Sequence, residues 1–281
     1  MRALNYTGSK ARLAPWIAGF FPAHAVYVEP FGGGAGMLLN KPESHIEVYN
    51  DLDGALVNFF RVLRDPEQSA ELIRRLRLTP FARAEYDAAY VDDAGQDDVE
   101  RARKLFIRAW MSIGGKGAVW HSKVGFRACT SRGGEREAVR FAAAVDRLPA
   151  VAERFRGVVV ECRDALRVLE HYDGPRTLFY VDPPYNMLDI VLYRNGVDHG
   201  ALLDVCRKLE GFCVVSGYES DLYADRLADW HVERLESKVA TFKAKPVTEC
   251  LWISPRTWEA LQEEKRRASM PLLRLCQPLC G

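Results

Sequence analysis

The sequence lacks several features that mark special classes of protein. Its seven cysteines form no CxxC pair and no Cys/His cluster at metal-ligand spacing, so we expect reduced thiols and no structural zinc. No apolar run reaches the roughly 20 residues that a membrane-spanning helix needs, and we find no internal repeat or low-complexity segment. These absences favour an ordinary globular protein without a membrane partner.

An excess of charge of either sign is also absent. The 39 Lys and Arg residues and 38 Asp and Glu residues give a net charge of +1, so a nucleic-acid-binding surface would have to be local. One segment is strongly basic, because ten cations and two acids between Arg101 and Arg140 give a net charge of +8. The cations are Arg101, Arg103, Lys104, Arg108, Lys116, Lys123, Arg127, Arg132, Arg136 and Arg140.

The first part of the sequence imitates a secretory signal. Lys10 and Arg12 precede an apolar run over residues 13–21, and Ala23-His24-Ala25 resembles a cleavage site. The run leads directly into a strand and a glycine loop that need it as scaffold. We therefore expect this segment to stay in the protein and the protein to be cytoplasmic.

Seven short apolar, β-branched runs alternate with helical patterns. They are Ala25–Glu29, Ile46–Asn50, Val158–Cys162, Leu178–Val181, Phe212–Ser216, Val232–Ser237 and Cys250–Ser254. Several are nearly continuous in apolar residues, as expected of parallel strands with helices on both faces. The alternation predicts an α/β fold with a doubly wound sheet.

One interval breaks this alternation. From about Asp65 to Arg156 the pattern is helical or irregular, without a strong strand. We interpret residues 1–65 and 156–258 as one domain that contains the sheet, and residues 66–155 as a lobe inserted into it. Residues 259–281 are a tail to which the sequence assigns no role.

A glycine-rich turn follows the first predicted strand. The strand Val26–Phe31 runs into Gly32-Gly33-Gly34-Ala35-Gly36, after which a helix can begin. Small residues let the backbone approach a ligand, and a helix N-terminus offers free N–H groups. The second strand ends at Asp51, whose carboxylate suits a ribose diol. The pattern favours an adenosine-containing ligand, although a plain glycine turn with Asp51 as a helix cap would have the same sequence.

The fourth predicted strand ends at Asp182-Pro183-Pro184-Tyr185. Consecutive prolines stiffen the chain and leave carbonyl groups free as acceptors. Ligands of open α/β sheets bind at the carboxyl ends of the strands. We therefore expect Asp182, the Pro183 carbonyl and the Tyr185 ring together at a catalytic site, the alternative being a simple turn whose aspartate is capped locally.

Together these motifs resemble the Dam-type family of DNA adenine methyltransferases, which belongs to the α group of amino methyltransferases, and especially its phage-encoded members. The resemblance extends from Tyr6 to about Pro255. It implies a seven-stranded, Rossmann-like methyltransferase sheet, with the inserted helical lobe as the target-recognition domain. It also implies S-adenosylmethionine as the cofactor, no metal, and double-stranded DNA as the partner. The oligomeric state and the presence of a companion restriction enzyme stay open.

The resemblance also assigns roles to residues. Tyr6 and Lys10, within Tyr6-Thr7-Gly8-Ser9-Lys10, would contact the methionine end of the cofactor, and Asp164 would face its adenine. The expected cofactor-binding residues are Tyr6, Lys10, Glu29, Phe31, Gly32, Gly33, Gly34, Asp51, Asp164 and Asp182. The expected catalytic residues are Asp182, Pro183, Pro184 and Tyr185. One departure is Ala35, which stands where many relatives have the second glycine of F-x-G-x-G.

The chemistry of amino methylation fits the tetrapeptide. The amino nitrogen of adenine is a poor nucleophile because its lone pair is delocalised into the ring. Two acceptors, one for each N–H, would stabilise the positive charge that develops on this nitrogen. Asp182 and the Pro183 carbonyl can supply them, and Tyr185 can stack on a base that has left the duplex.

The segment Trp110–His121 and its continuation combine glycines, cations and aromatic residues. Glycines let a loop enter a groove, cations meet phosphates, and an aromatic ring can replace a flipped base. The expected DNA-binding residues are Lys116, Trp120, His121, Lys123, Arg127 and Arg132. A solvated loop without DNA contacts is the alternative.

Other functions stay open on the sequence alone. Amino methylation of cytosine or of RNA uses similar motifs, although an acidic DPPY favours adenine. A DNA-binding protein with a catalytically silent methylase fold is a second alternative. A nicotinamide oxidoreductase is disfavoured because the glycine spacing is not GxGxxG.

Overall fold

A computed structural model describes residues 1–91, 95–119, 123–128, 136–184, 196–237 and 247–269. Its described residues contain seven strands in one sheet, ordered β3-β2-β1-β4-β5-β7-β6. The strands are β1 (Val26–Glu29), β2 (Ile46–Asn50), β3 (Val158–Glu161), β4 (Thr177–Val181), β5 (Phe212–Tyr218), β6 (His231–Ser237) and β7 (Val247–Ile253). Each of the seven predicted runs overlaps one of them, although β4, β5, β6 and β7 extend beyond the predicted bounds. β7 runs antiparallel to both of its neighbours, and the pairs among β1 to β5 are parallel.

Helices separate most of the strands. They are α1 (Ala14–Ala18), α2 (Gly54–Arg64), α3 (Pro66–Arg77), α4 (Arg83–Ala88), α5 (Asp98–Met111), α6 (Glu137–Asp146), α7 (Leu148–Phe155), α8 (Ala165–Tyr172), α9 (His199–Cys206), α10 (Asp221–Arg226) and α11 (Pro255–Ser269). Short 3-10 turns lie at Lys10–Arg12 and Ile113–Ala118. No helix in the described part of the chain is long and apolar enough to cross a membrane.

Side chains alternate between the two faces of the sheet, as the pleat of a strand requires. On one face, Tyr27 and Tyr49 join a buried cluster with residues of α1 to α7 and α11. On the other face, Val28 and Val48 join a second cluster with residues of α8, α9 and α10. Helices therefore cover both faces, which confirms the doubly wound α/β fold.

The helices between β2 and β3 pack directly on the sheet. The ring of Phe155 stacks on that of Phe60, with centroids 4.4 Å apart, and Tyr49 of β2 contacts both rings at 5.7 Å and 4.8 Å. Residues of α3, α5 and α6 belong to the same buried cluster. The observed packing thus joins this helical segment to the sheet, and the target-recognition lobe with bounds 66–155 stays a prediction.

The order of the strands places a crevice at one edge of the sheet. The chain runs outward from β1 through β2 to β3 and then returns to β4, which pairs with the other side of β1. Ligands of doubly wound sheets bind at this reversal point, beyond the carboxyl ends of the strands. Asn50 fixes the crevice, because its Nδ2 donates to the carbonyls of Pro30 at 2.8 Å and Arg163 at 2.9 Å.

Candidate active site

A cavity of about 460 Å³ lies at the carboxyl ends of β1, β2 and β4. Its volume falls within the roughly 300–1,000 Å³ of small-molecule sites. All ten residues expected from the sequence to bind the cofactor line it, together with Pro183 and Pro184. Tyr185, the fourth residue of the catalytic motif, lies outside the described residues.

The glycine loop fits against the first motif of the chain. A Cβ atom on Gly32 would lie 2.2 Å from Cε2 of Tyr49, so the close approach of loop and β2 requires glycine there. Gly33 has a φ of +49°, and a Cβ on it would lie 2.9 Å from Cε1 of Tyr6. The loop and Tyr6 therefore form one wall of the cavity, and larger side chains would push them apart.

Ala35 occupies the position at which the sequence departs from its relatives. Its φ is +54°, in the left-handed region that glycine adopts without cost, and its side chain is fully buried. The turn is held by a hydrogen bond of 2.8 Å from the Ala35 amide to the Gly32 carbonyl. The chain thus keeps the backbone geometry suited to glycine and accepts a strained alanine in it.

Asp51 ties the glycine loop to the end of β2. Its carboxylate accepts from the Gly33 amide at 2.8 Å and from the Asp53 amide at 2.9 Å. Burial raises the pKa of Asp51 to about 6, although both amides favour its charged form. The following helix, α2, is capped by Asp53, which accepts from the Ala55 amide. Asp51 therefore holds the glycine loop at the cavity, and the cap of α2 is Asp53 rather than Asp51.

Glu29 presents a buried carboxyl group at the same cavity. It is 2% exposed, and the Tyr27 hydroxyl donates to its Oε1 at 2.8 Å. Its Oε2 has no hydrogen-bond partner. Burial raises the pKa of Glu29 to about 8. A cationic or N–H-bearing ligand group beside Oε2 would supply the missing partner.

A lysine and two acidic residues meet at the inner end of the cavity. Lys10 Nζ lies 2.9 Å from Asp182 Oδ1 and 3.4 Å from Glu249 Oε1. Burial alone would lower the pKa of Lys10, but the two carboxylates outweigh it and raise the pKa above its ordinary value. The Ser216 hydroxyl also donates to Asp182 Oδ1, at 2.8 Å. Asp182 is therefore oriented by a charged donor and a neutral donor on the same oxygen.

Sequence reasoning missed Ser216 and Glu249. Ser216 ends an otherwise apolar run of β5, and Glu249 precedes the predicted start of the last strand. Both side chains are buried. A polar or acidic residue within or beside a buried strand was the available signal, but it does not reveal which residue it meets.

His199 was also missed, since the sequence analysis gave a role only to His121, as a DNA contact. It lies at the start of α9, is 4% exposed, and its Nδ1 is 2.7 Å from the Tyr223 hydroxyl. Burial lowers the pKa of His199, while a hydrogen bond to the Pro184 backbone acts in the opposite direction. Because a carbonyl only accepts, the neutral ring donates to Pro184 and accepts from Tyr223. His199 thereby holds the turn that follows Asp182.

A comparison with protein families decides the assignment. The sequence profile of the family described as D12 class N6 adenine-specific DNA methyltransferase matches residues 6–214. The chain belongs to this family. The methyltransferase is thus an enzyme that methylates adenine in DNA, with the S-adenosylmethionine that its family uses as methyl donor. No curated protein matches the chain.

Within the part of the methyltransferase that the structure describes, no group of three or more His, Cys, Asp and Glu side chains could hold a metal ion. The family match spans the first motif, the glycine loop, Asp51, Asp164 and Asp182. Asp164 is exposed and accepts from the Leu166 amide at 3.0 Å at the start of α8. It also lines the cavity, where its expected role beside the cofactor's adenine stays a prediction.

Three of the expected DNA-binding residues of the methyltransferase can be placed. Lys116 is exposed on the 3-10 turn Ile113–Ala118, which the Thr7 hydroxyl joins to the cavity wall through the Gly114 carbonyl at 3.2 Å. Lys123 pairs with Asp87 at 2.7 Å, and Arg127 pairs with Glu137 at 2.9 Å. Trp120, His121 and Arg132 lie outside the described residues.

The basic segment of the methyltransferase is less positive on its surface than its sequence indicates. Arg101 pairs with Asp98, and Arg103 pairs with Glu85 at 3.1 Å and with Glu100 at 2.8 Å. These partners, like Asp87, precede the interval over which the charge of +8 was counted. Lys104 is buried and donates to a backbone carbonyl. The net charge of the interval therefore overstates the charge available to a ligand.

Proposed function

We propose that the enzyme transfers the methyl group of S-adenosylmethionine to the exocyclic amino nitrogen of an adenine flipped out of duplex DNA. The observation that carries this proposal is the position of Asp182 in the same cavity as the glycine loop, Asp51 and Glu29. One cavity thus offers acceptors for an amino group beside a wall suited to the methyl donor.

The cofactor would lie along the glycine loop. Gly32, Gly33 and Gly34 permit close approach of its adenosine, and Asp51 can accept from its ribose hydroxyls. Tyr6, Phe31 and Asp164 would complete the adenosine and methionine surroundings. When bound, S-adenosylmethionine supplies an electrophilic methyl group on a sulfonium centre.

The residues of the turn after β4 would act on the substrate nitrogen. Asp182 accepts one N–H of the amino group, and the Pro183 carbonyl accepts the other, so the nitrogen lone pair is drawn out of the ring. Lys10 and Ser216 hold the Asp182 carboxylate in place, and Pro184 keeps the turn rigid. No base has to remove a proton before attack, because the amino nitrogen becomes acidic only once it is methylated. Tyr185 would stack on the flipped base.

Duplex DNA would be held by the helical segment and its loops. In this proposal residues 66–155 form the target-recognition lobe. Its DNA contacts would be Lys116, Trp120, His121, Lys123, Arg127 and Arg132. The exposed position of Lys116 beside the cavity wall supports this arrangement. We propose a cytoplasmic enzyme, and the phage and restriction–modification settings that the sequence resemblance suggests remain proposals.

Nucleoside mass spectrometry tests the reaction. Incubation with labelled S-adenosylmethionine and matched duplex and single-stranded DNA should give 6-methyladenine, with the duplex preferred. Asp182→Ala should bind the cofactor less well and lower kcat by roughly 100-fold or more, the usual loss when one stabilising group is removed. Asp229→Ala, at an exposed ion pair with Arg207, is the control and should keep the wild-type rate. A wild-type rate for Asp182→Ala would refute this mechanism.

Mapping methylated positions across a host genome that expresses the enzyme would give the recognition sequence. If the modification appeared on cytosine or on RNA, the assigned substrate would be wrong.

A further inference from the structure

Four arginines from separate parts of the sequence lie close enough to repel one another, with Arg12 and Arg147 exposed and Arg2 and Arg140 partly buried. Arg2 and Arg12 come from the first segment, Arg140 from α6, and Arg147 from the junction of α6 and α7. Burial lowers the pKa of Arg2, and repulsion from Arg12, Arg140 and Arg147 lowers it further. We call these four residues the arginine patch. Of the four, only Arg140 belongs to the basic segment of the sequence, and none was among the expected DNA contacts.

The arginine patch adjoins the cavity. Arg12 is exposed on the same 3-10 turn whose Lys10 lines the cavity. The Arg2 guanidinium lies 3.5 Å from the Asn5 side chain. The Asn5 carbonyl lies so close to Gly115 that a Cβ there would be 2.4 Å away. The patch therefore borders the turn that carries the exposed Lys116.

The described carboxylates next to the arginine patch also pair with arginines outside it. Arg140 lies 3.7 Å from Glu137, but that carboxylate also pairs with Arg127 at 2.9 Å, so it serves two guanidinium groups. Asp146 lies next to Arg147 in sequence but pairs with Arg77 of α3 at 3.3 Å. Clustered guanidinium groups repel one another, and an anion with several oxygens relieves that repulsion.

The ring of Trp110 contacts one member of the arginine patch, Arg147. The Arg147 guanidinium lies 5.7 Å from the centroid of the Trp110 ring. Trp110 in turn donates from Nε1 to the Ala3 carbonyl at 3.2 Å. The backbone next to Arg2 and the residue under Arg147 are thus fixed to each other, so the patch is held on rigid elements.

We infer that the arginine patch binds the phosphate backbone of duplex DNA beside the cavity that receives the adenine. Guanidinium groups bind phosphate oxygens in a bidentate manner. Phosphate contacts fix the register and orientation of a duplex without reading its sequence. This inference rests on the proposed function, since it assigns the path of the DNA to one side of that cavity.

The salt dependence of DNA binding tests the inference. The triple variant Arg2→Gln/Arg12→Gln/Arg147→Gln is compared with Arg156→Gln/Arg167→Gln/Arg267→Gln, which removes three exposed arginines that pair with acids three or four residues away and lie outside the proposed target-recognition lobe. Fluorescence anisotropy with a labelled duplex gives Kd between about 50 and 200 mM salt. Each lost phosphate contact lowers the slope of log K against log salt by about 0.9, so we expect the slope to fall by about 2–3.

Steady-state kinetics separates binding from chemistry. The patch variant should raise KM for DNA roughly tenfold or more, with kcat at saturating DNA unchanged, while the control triple variant keeps both values within about twofold. Because Arg2 is partly buried, the double variant Arg12→Gln/Arg147→Gln and thermal melting show whether loss of folding contributes. A smaller slope in that folded double variant supports the inference.

Two results would overturn the patch assignment. One is an unchanged Kd and salt slope in folded patch variants of an active enzyme, and the other is a lower kcat with unchanged KM for DNA. Failure of the wild-type enzyme to form 6-methyladenine would instead remove the proposed function, while the comparison of Kd values would still report on the patch.

Discussion

Glu29 in the cavity wall and Glu71 in α3 show how differently two regions of the methyltransferase treat the same side chain. Burial raises the pKa of Glu29 to about 8, whereas hydrogen bonds from Arg74 and Arg75 lower the pKa of the partly exposed Glu71 to about 2. In the cavity a polar atom lacks a partner, while the charges of the helical segment largely satisfy each other. A buried carboxyl group with a raised pKa at the end of a strand therefore locates this binding site better than the number of charges along the chain does.

The largest expected effect comes from removing the charge at the centre of the cavity. Lys10→Met leaves Asp182 and Glu249 facing each other in a buried site, and breaking such a pair costs about 3–5 kcal/mol. We expect kcat/KM to fall by roughly 100-fold or more, together with a lower Tm. Methyl-transfer kinetics and thermal melting measure the two effects.

Lys104→Met is the matched control in the helical segment. Lys104 is also buried, and it donates to the Val91 carbonyl at 2.9 Å. This variant should lower the Tm but leave kcat unchanged, because Lys104 does not line the cavity. Equal losses of kcat in Lys10→Met and Lys104→Met would show that a buried lysine in the cavity is no more important for catalysis than one in the helical segment.

The pH dependence of stability provides the second test. The pKa of Glu29 rises from an ordinary value of 4.5 to about 8 on folding. Its contribution to stability is therefore fully present below pH 4.5 and is lost as the pH rises through 8. Since each unit of pKa corresponds to about 1.4 kcal/mol, Glu29→Gln should be more stable than wild type at pH 8.5 by about 2 kcal/mol or more.

Urea unfolding between pH 3 and pH 8.5 measures this difference. Glu71→Gln is the counterpart in the helical segment, because a lowered pKa gives stability that is present above pH 4.5 and lost as the pH falls. In a plot of unfolding free energy against pH, Glu29→Gln should therefore reduce the fall at high pH, and Glu71→Gln should reduce the fall at low pH. Parallel profiles for wild type and Glu29→Gln would contradict the burial of a titrating carboxyl group at Glu29.

Two glycines provide a third, smaller test of the comparison. A Cβ on Gly32 would meet Tyr49 at 2.2 Å, and a Cβ on Gly115 would meet the Asn5 carbonyl at 2.4 Å. Each alanine variant should lose about 1–3 kcal/mol of stability. Gly32→Ala should raise KM for S-adenosylmethionine about tenfold, whereas Gly115→Ala should raise KM for DNA. If both variants changed the same KM, the assignment of one region to each ligand would be wrong.

The smallest effect is expected at Ala35. Ala35→Gly removes the strain of a φ of +54°, which costs about 1–2 kcal/mol, and loses part of that gain through the more flexible unfolded chain. We expect a net stabilisation of about 0.5–1 kcal/mol with unchanged kcat. Ala142→Gly, at an exposed position of α6, should destabilise by a similar amount. Chemical denaturation of both variants should give opposite signs.

The parts of the fold and site that follow from local sequence could be predicted. The strands appear as short apolar runs, and Asp51 and Asp182 each follow a strand directly. Because the carboxyl ends of parallel strands meet at one edge of a sheet, residues after different strands converge without further information. The cavity lined by these residues is the result.

The parts of the fold and site that depend on residues distant in the sequence could not be predicted. Ser216 meets Asp182, and Glu249 meets Lys10, only because β5 neighbours β4 and β7 runs antiparallel beside β5. The ion pairs of Arg103 and Lys123 likewise form with carboxylates from α4. A count of charges over an interval of sequence cannot include such partners, and the arginine patch escaped notice for the same reason.

The antiparallel strand β7 also affects the order in which the enzyme can fold during its synthesis. β6, at the border of the described sheet, pairs with β7 alone, so β6 has to remain unpaired until a later stretch of chain has been synthesised. That same stretch delivers the second carboxylate to Lys10. Lys10 therefore gains its second counter-ion only after β7 has been synthesised and has joined the sheet, and we expect methylation activity to appear no earlier than that.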